Sequence, residues 1–472
     1  MTSTRLNYPP RQHIHFVGIG GSGMSGIAEV LLNLGYTVSG SDLRLSSVTA
    51  RLEQLGAKVF EGHRVENLGD AQVVVTSTAV TAENPEVLEA LRRGLAVIPR
   101  AEMLAELMRL KYGVAVAGSH GKTTTTSLIA STLAGAGLDP TFVVGGRVNQ
   151  AGTNARLGKS ELIVVEADES DRSFLLLAPV IAVVTNIDRE HMDCYASLED
   201  LQEAFVTFLN KVPFYGAAIL CADDPNVRAI IPRLHRRVIT YGTSAEAEAD
   251  LYACDVRLKG WKSEFTLRAG GEEIGKFRLP LPGLHNVRNA LATLGVAREL
   301  GAPMERVRRA LNKFTGVARR FEVKAQVGGV TLIDDYGHHP VEIRATLEAA
   351  RGCGFKRLVV LFQPHRYTRT QYCWEEFLRC FDGVDVLVLT EIYAASEPPI
   401  PGMTGEALAD AIRSAGHSGV EFHARMESAL EAVLRYVQPG DALLTIGAGS
   451  IWKAAEELAA RLPAALGVTN AG

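Results

Sequence analysis

The sequence predicts an α/β protein of three domains with mostly parallel sheets. Short apolar segments alternate with helical patterns along nearly the whole chain, and this alternation is typical of parallel sheets. The 45 glycines fit a fold with many tight turns between strands and helices. The length of 472 residues suggests three domains at about 150 residues each.

Composition narrows the possible partners. The net charge of −4 gives no reason to expect nucleic acid or an anionic membrane as a partner. No apolar run reaches the ~18–20 residues that span a bilayer, and the first residues, MTSTRLNYPPRQ, lack an apolar signal core. The six cysteines form no C-x-x-C pair, so we expect reduced thiols, no zinc site and a cytoplasmic location.

A glycine cluster follows the first apolar strand. Gly18, Gly20 and Gly23 have G-x-G-x-x-G spacing in HIHFVGIGGSG, and a helical pattern and a second strand ending at Asp42 come next. In a Rossmann-type unit, an acid at this place hydrogen-bonds a ribose. We therefore predict a nucleotide- or dinucleotide-binding domain over residues 1–107, with strands near residues 13–18, 37–41, 58–60, 73–77 and 96–98. A tight turn without a ligand is the alternative.

A second glycine turn indicates a triphosphate. The segment YGVAVAGSHGKTTT predicts a strand, a turn and a helix beginning near Lys122. Gly118 and Gly121 let the backbone approach a phosphate, Lys122 supplies a cation, and Thr123 or Thr124 supplies a hydroxyl for Mg²⁺. A valine stands where the standard phosphate loop has its first glycine, so the loop is a shortened variant. The alternative is a strand–turn–helix corner with an incidental lysine.

Acids follow the next strand of this central domain, which we place at residues 108–318. Glu166 in the segment LIVVEADES is the best candidate for a Mg²⁺ ligand, because Mg²⁺ prefers hard oxygen donors. Because ligands gather at the carboxyl ends of parallel strands, the acidic segment is expected to face the phosphate loop; a solvated acidic loop is the alternative. His191, after the strand VIAVVTNID, could assist at a metal, contact a substrate carboxylate or be an ordinary loop residue.

The end of the central domain combines strands and a helix. Alternation over residues 238–280, with turn signals at residues 259–260 and 270–271, predicts a small antiparallel appendage. A helix is predicted over 283–301. Asn286 near its start could cap the helix. A role in reading adenine would require His285, Asn286 and Asn289 to turn toward the phosphate-loop pocket.

A third domain is predicted over residues 319–472. Four strands with intervening helices indicate another Rossmann-like sheet. The segment DDYGHHP follows one strand, and its paired histidines lack the further ligands that a transition metal needs. His365, Arg366 and Arg369 follow the next strand. Two arginines at this spacing suit a carboxylate ligand, and ion pairing with neighbouring acids is the alternative.

Two nucleotide-binding units in one chain require an explanation. An enzyme that uses ATP on a substrate with its own nucleotide handle needs both units. A nicotinamide oxidoreductase with an added ATPase module is a rival, although the sequence shows no convincing hydride-transfer site. A non-catalytic sensor of ATP and a sugar nucleotide is another rival, although a sensor needs no pocket for a third substrate.

The motifs together closely resemble the Mur ligase family over essentially the whole chain. In order they are HFVGIGGSGMSGIA, GSHGKTTT, EADESD, NIDREHMD, HNVRNA, RRFE, DDYGHHP and PHRYTRT. The resemblance implies an N-terminal Rossmann-like domain, a central P-loop ATPase-like domain with a mostly parallel sheet and a C-terminal Rossmann-like domain. It also accounts for the short phosphate loop.

The resemblance implies an ATP-dependent ligase of peptidoglycan precursor synthesis. In that reaction ATP phosphorylates the lactyl carboxylate of UDP-N-acetylmuramic acid, and the amine of L-alanine attacks the acyl phosphate. ATP and Mg²⁺ would be the cofactors. A relative that attaches a whole tripeptide to the same sugar nucleotide shares most of the motifs and is the nearest rival.

Matching motifs carry the family's residue roles onto this chain. The resemblance implies that the sugar nucleotide contacts Gly18, Gly20, Gly21, Ser22, Gly23, Asp42, Ser77 and Thr78. It implies that ATP contacts Gly118, Ser119, His120, Gly121, Lys122, Thr123, Thr124, His285, Asn289, Arg320 and Asp335. Thr123, Glu166 and His191 would hold Mg²⁺; Tyr336, His338, Arg366 and Arg369 would hold the amino acid; and Lys122, Glu166, His191 and Arg320 would be catalytic. Asp42 is assigned to ribose or uracil, and Arg320 is preferred to Arg319 because it directly precedes Phe321.

Overall fold

The computed structural model describes residues 12–77, 79–243 and 248–468. These residues form two compact units, the first from residues 12–252 with Leu291–Leu311 and the second from Ala253–Ala290 with residues 312–468. Thr78, predicted to contact the sugar nucleotide, lies outside the described residues. Among the residues described, no helix combines the length and apolarity needed to cross a bilayer.

The first unit contains two sheets and their flanking helices. Its strands are β1 His13–Val17, β2 Thr37–Asp42, β3 Lys58–Glu61, β4 Val73–Thr76, β5 Ala96–Pro99, β6 Tyr112–Ala117, β7 Thr141–Val148, β8 Thr153–Arg156, β9 Leu162–Glu166, β10 Ile181–Val184, β11 Ala217–Cys221, β12 Val238–Gly242 and the start of β13 Leu251–Lys259. Its helices are α1 Ser22–Asn33, α2 Ser47–Gln54, α3 Pro85–Arg92, α4 Arg100–Arg109, α5 Lys122–Gly135, α6 Leu198–Leu209, α7 Pro225–Ile230, the second half of α8 Leu284–Glu299, and α9 Met304–Leu311. Short 3-10 helices cover Val65–Leu68, Ser173–Leu176 and Ile231–Arg233.

The N-terminal sheet is parallel throughout. Its strand order is β3-β2-β1-β4-β5. Successive strands are added on one side of β1 up to β3 and then on its other side from β4, so the order of the strands reverses next to β1. A reversal of this kind leaves a crevice at the carboxyl ends of the central strands, where open α/β sheets bind ligands. The predicted glycine turn directly follows β1 at this crevice.

The central sheet places the phosphate-loop strand between two strands that end in polar segments. In the first unit the strand order is β13-β12-β11-β10-β6-β9-β7-β8, and all neighbours are parallel except β7 and β8. The strand β6 is fully apolar and buried between β10 and β9. The loops that follow β6, β9 and β10 therefore meet at one edge of the sheet.

The second unit contains one open sheet and a pair of hairpins. Its elements are the rest of β13, β14 Lys262–Ala269, β15 Glu272–Leu279, the first half of α8, β16 Glu322–Val327, β17 Val330–Asp335, α10 Pro340–Gly352, β18 Arg357–Phe362, α11 Tyr367–Tyr372, α12 Trp374–Cys380, β19 Val386–Thr390, α13 Gly405–Ser414, β20 Val420–His423, α14 Met426–Tyr436, β21 Asp441–Ile446 and α15 Ile451–Ala465. The sheet order is β16-β17-β21-β18-β19-β20, and only β16 is antiparallel to its neighbour.

The α/β class with mostly parallel sheets is confirmed, and three local predictions need correction. The third domain has six strands where four were predicted, because β16 has no fully buried residue and β20 is only four residues long, so neither forms an apolar run. The segment 238–280 is not wholly antiparallel, since β12 pairs in parallel with β11 and the beginning of β13. Asn286 is not a helix cap. It lies inside α8, and its amide donates to the carbonyl of Pro282 at 2.8 Å.

The core of the second unit rests on a cluster of aromatic rings beneath its sheet. Phe362 is fully buried at the end of β18, and its ring centroid lies 5.0 Å from that of Phe381 and 5.8 Å from that of Phe377. Close-packed rings of this kind leave a cavity when one is removed.

We expect Phe362→Ala to lower the free energy of unfolding of the second unit by about 3–5 kcal/mol. All three tryptophans of the chain, Trp261, Trp374 and Trp452, lie in this unit, so denaturant unfolding followed by tryptophan fluorescence reports on it. Phe214→Ala is the control, because that ring is 92% exposed. Equal transitions for the two variants would contradict the assigned core.

Candidate functional site

The glycine turn after β1 is held by the neighbouring strand β2. The backbone N–H groups of Gly18 and Ile19 both donate to the carbonyl of Ser41, at 2.8 and 3.0 Å. The N–H of Gly20 donates to the carboxylate of Asp42 at 2.9 Å. The acid predicted to read a ribose or uracil therefore already supports the turn itself.

The other residues assigned to the sugar nucleotide lie beside this turn. Ser77 follows β4, which neighbours β1 in the sheet, and its carbonyl accepts from the N–H of Val80 at 3.0 Å. Gly21 immediately precedes α1, and Ser22 and Gly23 form the first turn of that helix. The glycines and Ser22 thus lie between β1 and the first turn of α1, while Asp42 ends β2 and Ser77 follows β4, the two neighbours of β1 in the sheet.

The phosphate loop needs glycine at two positions. Gly118 has a φ of +130°, and a Cβ atom placed there would lie 2.2 Å from the hydroxyl of Thr185. Gly121 has a φ of +80° and immediately precedes α5, which begins at Lys122 as predicted. Both positions disfavour any residue with a side chain, since positive φ is strained for L-residues.

The segment after β10 holds the phosphate loop in place. The N–H of His120 donates to the side-chain oxygen of Asn186 at 2.8 Å, and the amide of Asn186 donates back to the carbonyl of His120 at 2.9 Å. The ring of His120 lies 2.9 Å from the carboxylate of Asp188, and the N–H of Asp188 donates to the hydroxyl of Ser119 at 2.8 Å. These contacts within the protein thus fix the loop.

Lys122 is a buried cation surrounded by acids. Its Nζ lies 2.6 Å from Oε1 of the fully buried Glu169 and donates to the carbonyl of Gly118 at 2.7 Å. Burial alone would lower the pKa of Lys122. The carboxylates of Glu169, Asp168 and Glu190 outweigh that effect, so the pKa lies above its ordinary value and the lysine is charged at neutral pH.

Thr123 and Glu166 form an oxygen-rich pair beside this lysine. The hydroxyl of Thr123 donates to Oε1 of Glu166 at 3.0 Å, and the N–H of Gly145 donates to Oε2 at 2.7 Å. The acidic segment therefore faces the phosphate loop, as predicted. Thr124 lies next to Thr123 in the buried first turn of α5.

His191 lies at the same edge of the sheet. Its Nε2 is 3.6 Å from Oε1 of Glu169 and 3.9 Å from Oε1 of Glu190. Its φ of +59° is unusual for a residue with a side chain. The structure thus brings together four predicted residues of the first unit: Lys122, Thr123, Glu166 and His191.

The remaining residues assigned to ATP belong to the second unit. His285 packs against Gly283 at the start of α8, and burial lowers its pKa to about 4, so the ring is neutral at physiological pH. The side-chain amide of Asn289 donates to the side-chain oxygen of Asn286 at 3.3 Å. The adenine contacts assigned to His285 and Asn289 stay a prediction.

The segment around residue 320 is anchored through Arg319 and Asp335. Arg319 lies 3.2 Å from the carboxylate of Asp334 and donates to the carbonyl of Gly447 at 2.6 Å. The buried carboxylate of Asp335 accepts from the N–H groups of Phe321 and Gly337, at 2.7 and 2.8 Å. Arg319 therefore has an internal structural role, which is consistent with assigning ligand contact to Arg320. For Asp335, ligand contact stays a prediction.

The residues assigned to the amino acid form a cationic cluster at the ends of β17 and β18. The rings of Tyr336 and His338 meet edge to face at 5.6 Å, and His338 lies 5.9 Å from the ring of His365. Arg369 donates to Nδ1 of His365 at 3.0 Å, and Arg366 lies 3.8 Å from Glu397. The alternative of ion pairing with acids therefore holds in part for Arg366.

Backbone geometry in this cluster is unusual. Arg319, Phe321 and Arg366 have φ values of +59°, +52° and +68°, a region that residues with side chains rarely adopt. Arg319 and Arg320 both stack on the ring of Tyr336, with each guanidinium carbon 4.9 Å from the ring centre. The cluster is therefore held by both cation–π contacts and constrained backbone.

Several residues of these sites were not selected from the sequence. Glu169 lies in the same acidic segment as Glu166, which the sequence favours as the Mg²⁺ ligand. Only the structure shows that Glu169 contacts Lys122. His365 stood next to the selected Arg366, and Tyr393 stacks on its ring at 5.6 Å. A polar residue at the end of each parallel strand is the signal that could have identified His365.

His365 provides a test of the cluster's electrostatics. An arginine can only donate, so the contact with Arg369 requires Nδ1 of His365 to be an unprotonated acceptor. Burial, together with the charges of His338, Arg369 and Arg366, lowers the pKa of His365 to about 3. Its protonation is thus displaced to acid pH, and folding stability decreases as pH falls below about 6.5, the ordinary histidine pKa.

We expect the NMR chemical shift of His365 Cε1 to keep the value of the neutral ring from pH 8 to about pH 5, because a protonated ring would face two arginines. A His365→Asn variant assigns the signal. An unstructured histidine-containing peptide, with the ordinary histidine pKa of about 6.5, serves as the control. A midpoint above pH 6 for His365 would contradict the arrangement.

Three family models match successive parts of the chain. The family model described as Mur ligase family, catalytic domain, matches residues 13–112. The Mur ligase middle domain matches residues 116–297, and the model described as Mur ligase, glutamate ligase domain, matches residues 319–449. Together these models cover most of the chain.

Individual relatives extend over nearly the full length. A protein of Solibacter usitatus named UDP-N-acetylmuramate--L-alanine ligase is 57% identical over 96% of this chain and 95% of its own length. A protein of Geobacter sp. with the same name is 54% identical over 97% of this chain and 99% of its own length. The crystal structure of a UDP-N-acetylmuramate-alanine ligase from Thermotoga maritima has a TM-score of 0.81 and 28% identity, over 96% of this chain and 99% of that one. With these matches across all three of its domains, the chain belongs to the Mur ligase family.

Proposed function

We propose that this chain is an ATP-dependent ligase that joins L-alanine to the lactyl carboxylate of UDP-N-acetylmuramic acid in peptidoglycan precursor synthesis. Relatives at 54–57% identity, matched over nearly their whole length, carry the name of that activity. The observation that carries the phosphoryl-transfer half is the placement of Thr123 and Glu166 beside Lys122 at the end of β6. The glycine turn after β1 supplies the second nucleotide site that the reaction requires.

The donor set beside Lys122 fits Mg²⁺. A threonine hydroxyl and a carboxylate 3.0 Å apart offer the hard oxygen ligands that this ion prefers. Thr123 and Glu166 would hold it, with His191 near a second ion. When bound, Mg²⁺ neutralises charge on the phosphates of ATP.

The chain's own residues would perform the remaining work by positioning. Lys122 would bridge the β- and γ-phosphates, with the loop Gly118–Ser119–His120–Gly121 and Thr124 around them. The lactyl carboxylate takes the γ-phosphoryl group, ADP leaves, and the alanine amine then displaces phosphate from the acyl phosphate. Excluding water matters because an acyl phosphate hydrolyses. Arg366 and Arg369 would pair with the alanine carboxylate beside Tyr336 and His338.

Other parts of this proposal rest on the sequence. These parts include the domain boundaries at residues 107/108 and 318/319 and the cytoplasmic location. So do the contacts of His285, Asn289, Arg320 and Asp335 with ATP, and the contacts of the glycine turn, Asp42 and Ser77 with the sugar nucleotide. Thr78, assigned to the same ligand, is proposed from the family resemblance alone.

The function is tested by phosphate release with ATP, Mg²⁺ and UDP-N-acetylmuramic acid. L-alanine, glycine, L-serine and the cell-wall tripeptide are added one at a time, and the sugar-nucleotide product is weighed by mass spectrometry. Turnover that depends on L-alanine, with a product heavier by one alanyl unit, supports the proposal. Turnover only with the tripeptide would assign the tripeptide-adding activity, and binding without turnover would indicate a sensor.

Lys122→Ala should abolish turnover and leave binding of the sugar nucleotide intact. The reason is that Lys122 lies at the end of β6, whereas the glycine turn follows β1 in a different sheet. Turnover is measured by phosphate release and binding by titration calorimetry. The matched control is Lys111→Ala, at the residue before β6, which should change neither quantity. Equal loss of both properties in Lys122→Ala would refute the separation.

Arg366→Ala should raise the KM for alanine far more than the KM for ATP. A charge-assisted contact with a carboxylate contributes about 1.5–3 kcal/mol, so a 10-fold or greater rise in the alanine KM is expected. Arg413→Ala is the control, because Arg413 is exposed and pairs with Asp410 on the same helix. An unchanged alanine KM would remove Arg366 from the pocket.

A further inference from the structure

The proposed ligase reaction assigns no role to Arg100, although this residue lies beside the glycine turn. It is the first residue of α4 and directly follows β5, at the edge of the N-terminal sheet. Its guanidinium lies on Gly23, in the first turn of α1: a Cβ atom built on Gly23 would be 2.2 Å from Nη1 and 3.0 Å from Cζ of Arg100. The guanidinium therefore rests on the glycine turn itself.

The same guanidinium reaches the acidic segment of the other sheet. Its Nη2 lies 3.5 Å from Oδ2 of Asp168, two residues beyond Glu166. Asp168 is itself fixed, since its carboxylate accepts from the N–H of Ser170 at 3.1 Å and its carbonyl accepts from the N–H of Phe174 at 3.0 Å. Nη2 of Arg100 is thus held by an anchored acid, while Nη1 faces the glycine turn.

The surroundings favour an anionic ligand over a purely structural role. The side chains of Arg100 and Asp168 are 30% and 42% exposed, and an ion pair this accessible contributes little to stability. A cation at the first position of a helix is also disfavoured by the helix dipole. The first turn of α1 contains no acid that would pair with it.

We propose that Arg100 binds the diphosphate of the sugar nucleotide and that Asp168 positions it for this. The inference rests on the proposed function, because it assumes that the glycine turn receives a uridine nucleotide. A diphosphate seated on that turn lies where the guanidinium meets Gly23, and the guanidinium fork suits phosphate oxygens. The contact between Arg100 and Asp168 then links the proposed sugar-nucleotide site to the acidic segment beside Lys122.

The test compares four ligands by titration calorimetry: uridine, UDP, UDP-N-acetylglucosamine and UDP-N-acetylmuramic acid. In Arg100→Ala we expect binding of the three diphosphates to weaken by similar factors of about 10–100, as for a lost charge-assisted hydrogen bond. Uridine and ATP should bind as in the wild type, and unchanged ATP binding shows that the variant is folded. The control is Arg109→Ala, at the other end of the same helix, where Arg109 is exposed and pairs with Glu106.

Gly23→Ala provides an independent variant. Its φ is not positive, so alanine is tolerated by the backbone, and the added methyl displaces the guanidinium. We expect it to weaken UDP binding in the wild type and to have a smaller effect in the Arg100→Ala background, where the guanidinium is absent. Asp168→Asn should weaken UDP binding in the wild type and have no effect on it in the Arg100→Ala background. Such non-additivity is expected of residues that act through one another.

The outcomes separate this inference from the proposed function. If the wild type binds none of the uridine nucleotides, the proposed function and this inference fail together. If the wild type binds them and Arg100→Ala binds UDP equally well, Arg100 has no role in diphosphate binding. A loss confined to UDP-N-acetylmuramic acid would place Arg100 at the lactyl carboxylate and overturn the diphosphate assignment.

Discussion

The buried charge of Lys122 is the constraint on which the first unit depends. An ammonium group removed from water has to be compensated by anions and carbonyl oxygens. Glu169 and the carbonyl of Gly118 supply this compensation, and Tyr195 fixes the backbone of Glu169 by donating its hydroxyl to the carbonyl at 2.6 Å. The strand order β10-β6-β9 makes it possible, because the segments that follow these three strands meet at one edge of the sheet.

Much of this arrangement could be predicted from local sequence, and the rest depends on contacts between distant segments. The glycine turns and the start of α5 at Lys122 follow from short motifs. The choice between Glu166 and Glu169 does not, because the two acids lie three residues apart and only the end of β9 decides which one faces Thr123 and which faces Lys122. Likewise, alternation of apolar residues is the same in parallel and antiparallel strands, so it could not reveal the parallel pairing of β12.

The cluster in the second unit shows the opposite electrostatic design. Burial, together with the charges of His338 and of Arg319, Arg366 and Arg369, keeps the pKa of His365 low and its ring unprotonated. A neutral histidine can accept from Arg369 and so hold one arginine at a fixed place, which a charged ring would repel. A cationic cluster with fixed donors suits a small anionic group, and the proposed carboxylate of alanine fits this description.

The positive φ values of Arg319, Phe321 and Arg366 have a consequence for engineering. Each such residue costs about 1–2 kcal/mol of backbone energy, so this border of the cluster is held in place against its own conformational preference. Glycine at these positions would relax the backbone. A search for thermostable variants guided by backbone energy would therefore favour substitutions at the border of the cationic cluster. Heat resistance gained in this way would come with a less constrained cluster, so these three positions should be kept fixed in any such library.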